Sequence, residues 1–133
     1  NYVDQFQHVR TNGFDDNDRF WTRLLRSKWS PIDGGINGRA VPRYQESCYA
    51  KSVIISPDLG EEMTRLGFKH NENCITLSRN LKKDKILKFM KYYINYDNWT
   101  ELAENAYKLV KNRHTTDCRI KEFLEVVNEV NED

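Results

Sequence analysis

Between positions 33 and 46 the chain reads Asp33-Gly34-Gly35-Ile36-Asn37-Gly38-Arg39-Ala40-Val41-Pro42-Arg43-Tyr44-Gln45-Glu46. Glycines at 34, 35 and 38 free the backbone of Cβ atoms, so its N–H groups can come close to a ligand. Pro42 suits the first turn of a helix, and a helix N-terminus beside Arg39 and Arg43 favours an anion such as a diphosphate. Glu46 follows Arg43 by one helical turn, so both side chains can project toward the same end, and the carboxylate can accept two ribose hydroxyls. Further on, Ser56-Pro57-Asp58-Leu59-Gly60 offers Asp58 and more backbone amides. The candidate ligand set is therefore Gly34, Gly35, Asn37, Gly38, Arg39, Arg43, Glu46 and Asp58. Plainer readings exist for each part. The glycines suit an ordinary strand-to-helix turn, Glu46 a solvated partner of Arg43, and Asp58 a turn after proline. The segment has no Gly-Lys-Ser/Thr and does not keep the glycine spacing of the dinucleotide fingerprint.

Such a loop works only if strands and helices hold it. Phe20, Trp21, Leu24 and Leu25 stand at helical spacing, after a turn with candidate caps at 12–16. Lys28-Trp29-Ser30-Pro31-Ile32 reads as a short strand ending near Pro31, where the ladder donor is lost. A helix is expected over 41–50. The apolar, β-branched run over 52–56 then reads as a parallel strand covered on both faces. A short helix over 61–66 and a strand over 73–77 follow. Ile86, Phe89, Met90, Tyr93 and Ile94 make one helical face, and Trp99, Leu102, Ala103, Ala106, Tyr107 and Val110 another, with Asn98 and Glu101 as a capping pair. Ile120, Phe123, Leu124, Val127 and Val130 form a third stripe, with Thr115 or Thr116 as N-cap. Alternating strands and helices predict an α/β, Rossmann-like domain of three layers, with a parallel sheet and a helical C-terminal tail. Ligands of such sheets sit beyond the carboxyl ends of the strands, which is where the glycine loop falls.

The 133 residues suffice for one domain with a modest core. Lys plus Arg number 21 against 20 Asp plus Glu, a balance that supplies no footprint for general nucleic-acid binding. Cys48, Cys74 and Cys118 are widely spaced and odd in number, which fits a reducing compartment, and no His or Cys pairing suits a metal. No metal or other cofactor is expected. Neither a transmembrane segment nor a secretory leader is read from the sequence. A cytoplasmic or membrane-peripheral setting is the expectation. Without an initiating Met, the chain reads as a piece of a longer protein. His114 reads as a structural histidine, Trp21, Trp99 and the tyrosines as packing residues, and the lysines at 82, 83 and 85 as a solvated helix face.

The segment Arg43-Tyr44-Gln45-Glu46-Ser47-Cys48-Tyr49-Ala50-Lys51, followed by Ser52-Val53-Ile54-Ile55-Ser56-Pro57, resembles the signature of the C-terminal domains of GT-B glycosyltransferases of the group 1 kind. There, arginine, an apolar residue and any residue precede Glu-Ala-Leu-Ala-Cys-Gly and an apolar strand. Asn73-Cys74-Ile75-Thr76-Leu77, the stretch from Trp99 to Ala106 and that from Val110 to Thr115 are similar to the tail of the same domains. The resemblance spans roughly 20 to 125 and implies one half of a two-domain enzyme. It implies that this half binds a nucleoside-diphosphate sugar without a metal, with Glu46 on the ribose and Arg43 and the glycine loop facing the diphosphate. The acceptor, and any catalytic base, would belong to an N-terminal domain of the same protein, so no catalytic residue is assigned here and the isolated chain is expected to be inactive. Two positions depart from the pattern: Lys51 stands where the family has glycine, and Gly38 where it has a second glutamate. These departures leave retaining chemistry unsupported. The stretch from Ser27-Lys28 to Glu46 is also similar, less specifically, to exostosin-type transferases. Two rival readings follow from the same residues: a non-catalytic binding module of this fold, and a docking domain built on the aromatic-rich helices.

Overall fold

Among the described residues three short strands organise the chain, two of them with proline as the last residue, Pro31 and Pro57. The structure, a computed structural model, describes residues 17 to 34 and 38 to 131. The turn expected at 12–16, Gly35 and Asn37 lie outside the described residues. Helix α1 spans Asn17–Leu25 and strand β1 Trp29–Pro31; helix α2 spans Arg43–Tyr49 and strand β2 Val53–Pro57. Helix α3 spans Glu61–Leu66 and strand β3 Ile75–Leu77. Helices α4 (Lys83–Ile94), α5 (Trp99–Arg113) and α6 (Thr116–Asn131) complete the order.

The sheet is parallel in the order β1-β2-β3, with Trp29 beside Val53 and Ile55 beside Ile75. Pro31 interrupts nothing. The N–H of Ile32 still reaches the Ile55 carbonyl at 2.9 Å, so the donor that proline lacks falls on the side away from β2. Because successive side chains of a strand alternate, β2 feeds two cores. Ile54 joins Tyr44 and Cys48 of α2, Met63 and Leu66 of α3, and Ala106 and Val110 of α5. Val53 and Ile55 join Ile75, Tyr93 of α4, and Leu102 and Ala103 of α5, with Phe89, Met90 and Trp99 packed against them. Val53, Ile54 and Ile55 are all fully or nearly fully buried, as a strand covered on both faces requires.

Helix ends follow local chemistry. Gly67, left-handed at φ 85°, stops α3, and its N–H returns to the Thr64 carbonyl. At the start of α6 the Thr115 hydroxyl accepts the Cys118 N–H at 3.3 Å, an N-cap bond. The expected Asn98–Glu101 capping pair does not form. Asn98 sits at φ −84°, ψ 12°, close to helical values, and makes no side-chain cap bond, whereas an N-cap needs an extended backbone to bring its oxygen round to the following N–H groups. The apolar stripe of α6 forms a helix face as its spacing predicts, yet Ile120, Phe123, Leu124 and Val130 are half or more exposed.

Candidate functional site

The three strand exits meet at one edge. After β1 come Ile32, Asp33 and Gly34; after β2, Asp58 and Leu59; after β3, Ser78 and Arg79. Leu59 is buried against Gly34, and a Cβ built on Gly34 would collide with its Cδ2, so only glycine fits there without repacking. Gly38 is left-handed at φ 63°, and a Cβ there would stand 2.7 Å from Nη2 of Arg79. Arg79 in turn donates from Nε to the Asp58 carbonyl at 3.0 Å. One guanidinium thus spans the exits of β2 and β3 and lies against the loop from β1.

Asp58 forms the turn anticipated for it. Its Oδ1 accepts the Gly60 N–H at 2.8 Å. Beneath the edge, Tyr44 is fully buried and its hydroxyl points to the Asp33 carbonyl at 3.5 Å. Burial raises the Tyr44 phenol above its ordinary value; the Ser56 hydroxyl and the Arg79 charge offset part of that. The floor of the site therefore carries a neutral phenol.

Arg43 and Glu46 form a second group. Arg43 Nε lies 3.5 Å from Glu46 Oε2, and the guanidinium stacks over the Phe20 ring of α1 at 4.4 Å. Arg39 is exposed. The structure thus joins Gly34, Gly38 and Asp58 through Leu59 and Arg79, and joins Arg43 and Glu46 to each other and to α1. Arg79 was not among the residues expected from the sequence; its only signal there was a polar run, Ser78-Arg79-Asn80, ending a strand.

Lys51 takes a left-handed backbone conformation that suits glycine. It stands at φ 57°, with its N–H bonded to the Cys48 carbonyl and the Ser52 N–H to the Ser47 carbonyl at 2.9 Å, the paired bonds of a left-handed helix stop. Its ammonium reaches Glu104 Oε2 at 2.8 Å and covers the Tyr107 ring, tying α2 to α5.

Among the described residues no group of three or more His, Cys, Asp or Glu is placed to hold a metal ion, and no helix is long and apolar enough to cross a membrane. Two open depressions lie away from the strand exits, one at the α4–α5 turn around Tyr92 and Tyr96, the other between Gly67, Asn73 and Asn105. Neither contains a residue of the glycine loop. Compared with protein-family models, with curated proteins and with solved structures, the chain matches none.

Proposed function

We propose that this chain is the donor-binding half of a GT-B glycosyltransferase, holding a nucleoside-diphosphate sugar at the carboxyl edge of its sheet. The observation that carries the reading is the convergence of Gly34 and Gly38, a turn-forming aspartate and an arginine at three adjacent exits of a parallel sheet, on the carboxyl edge where open α/β sheets bind their ligands. The resemblance of 43–57 to the family signature adds the rest: Glu46 on the ribose, with the diphosphate toward the loop. Charge building on the departing diphosphate is offset by arginine and backbone N–H donors, which is electrostatic assistance to the leaving group. The acceptor and any general base belong to the other half of the enzyme, and the chain alone turns over no donor.

Isothermal titration with UDP, GDP, ADP, CMP and dTDP tests this reading, repeated on Glu46→Ala and Arg43→Ala. Saturable binding of one nucleoside diphosphate, weakened by Glu46→Ala, is the expected result. A folded chain that binds none of them overturns it. The exposed apolar stripe of α6 favours the second reading, a docking module of the same fold; oligomerisation that depends on concentration, with no nucleotide binding, would select it.

A further inference from the structure

We infer that Arg79 is the side chain that grips the diphosphate at this edge, presented by its bridge from the β3 exit to Asp58 and Gly38. The choice of a diphosphate as ligand rests on the donor-binding reading above. Three cations of the candidate region differ in what already occupies them. Arg43 is paired with Glu46 and stacked on Phe20. Arg39 is exposed, and no described contact orients it. Arg79 is held by one bond from Nε to a neutral carbonyl, and among the described residues no carboxylate forms an ion pair with it.

A guanidinium carries five N–H donors, so a single Nε bond leaves the four on the two Nη atoms for an oxyanion. Those Nη atoms lie beside Gly38. The space a Cβ would take there is within 2.7 Å of Nη2 and 3.5 Å of Nη1, so with glycine at 38 the guanidinium lies against the loop without having to shift. A planar guanidinium fork suits the paired oxygens of a phosphate better than a point-charge ammonium does. Two carboxylates flank the site. Asp58 is turned back onto the Gly60 N–H, and Asp33 leads into the loop.

The test is titration of the wild-type chain, Arg79→Gln and Arg79→Lys with inorganic pyrophosphate and with the nucleotides above. In parallel, the Arg79 Nε–H resonance, assigned by its loss in Arg79→Gln, is followed by NMR as pyrophosphate is added. The expected result is a loss of affinity of about 10- to 100-fold in Arg79→Gln for pyrophosphate and nucleoside diphosphates alike, the scale of a charged hydrogen-bonding pair. Partial recovery in Arg79→Lys and a shifted Nε–H signal should accompany it. Nucleoside diphosphate binding that is unchanged in Arg79→Gln, with an unmoved Nε–H signal, overturns the role of Arg79 and leaves the donor-binding reading standing. Pyrophosphate binding that depends on Arg79, without any nucleotide binding, upholds the anion grip and overturns the nucleotide-sugar reading. No binding of either probe by the folded wild-type chain overturns both.

Discussion

Arg79 occupies the space in which Gly38 would carry a side chain: a Cβ on Gly38 would lie 2.7 Å from Nη2 of Arg79. The glycine is also left-handed, at φ 63°. Gly38→Ala therefore meets two obstacles, a backbone conformation costing about 1–2 kcal/mol for a residue with a Cβ and a guanidinium that must move. The arginine is flexible, so most of the stability loss should come from the backbone. Chemical denaturation should show Gly38→Ala less stable by about 1 kcal/mol, whereas Arg79→Ala, which removes one exposed bond to the Asp58 carbonyl and leaves the loop unstrained, should change stability by less. A Gly38→Ala substitution that cost nothing once Arg79 was already alanine would mean that the contact, not the dihedral, decides this position.

Lys51 presents the same backbone problem with a different residue. At φ 57° it pays the left-handed penalty that glycine avoids, while its ammonium binds Glu104 and stacks on Tyr107. Replacing it by alanine removes the side-chain contacts and keeps the strain; replacing it by glycine removes both. Lys51→Gly should therefore be more stable than Lys51→Ala by about 1 kcal/mol, measured by urea denaturation. Two variants of equal stability would show that the helix stop tolerates a Cβ at no cost.

Lys51 and Arg79 mark the limits of what could be read in the sequence. Local order was legible because it depends on neighbours in the chain. Val53-Ile54-Ile55 announced a strand buried on both faces, and Gly60 and Gly67 bracket the helix that spans Glu61–Leu66. The backbone state of Lys51 was not read from its residue type, because a lysine gives no sign of a positive φ. The role of Arg79 was not legible, since it depends on which strand exits lie side by side, and a polar run after a strand looks the same whether or not it reaches a neighbour. Asn98 misled for the opposite reason: its residue type suits a cap, but capping is decided by backbone angles that the type does not set. The stripe of α6 told the helix from its period and nothing of what covers it.

The three thiols should differ in reactivity. Cys48 and Cys74 are fully buried, and burial pushes both thiols upward, Cys74 to about 12 with the Asp58 and Glu72 carboxylates adding to the effect. Because the thiolate is the nucleophile, both should resist alkylation in the native chain. Cys118 is only partly buried, in a junction where its thiol meets the Asn112 carbonyl at 3.4 Å. Iodoacetamide labelling followed by mass spectrometry should find Cys118 modified first, with Cys48 and Cys74 reacting only after unfolding. Rapid native labelling at Cys74 would mean that the β3 side of the core opens readily.

His114 should make the junction of α5 and α6 sensitive to pH. Its Nε2 lies 2.7 Å from the Leu66 carbonyl, which can only accept, so Nε2 carries the proton and Nδ1 is left to accept from Nη2 of Arg119 at 2.8 Å. The ring stacks on Phe68. Burial holds the imidazole below its ordinary range, and Arg119 and Arg113 push the same way, against the Leu66 hydrogen bond and Glu122. A second proton, on Nδ1, would face the Arg119 guanidinium directly. With the folded value below the unfolded one, the unfolded chain takes up the proton first as pH falls. The stability contributed by neutral His114 is thus complete above the unfolded value of about 6.5 and is lost as pH falls through the folded value. Denaturation midpoints from pH 8 to 5 should show the advantage of wild type over His114→Gln shrinking below about pH 6.5. An advantage that stays constant across that range would show that the charge state of the ring does not matter to the fold.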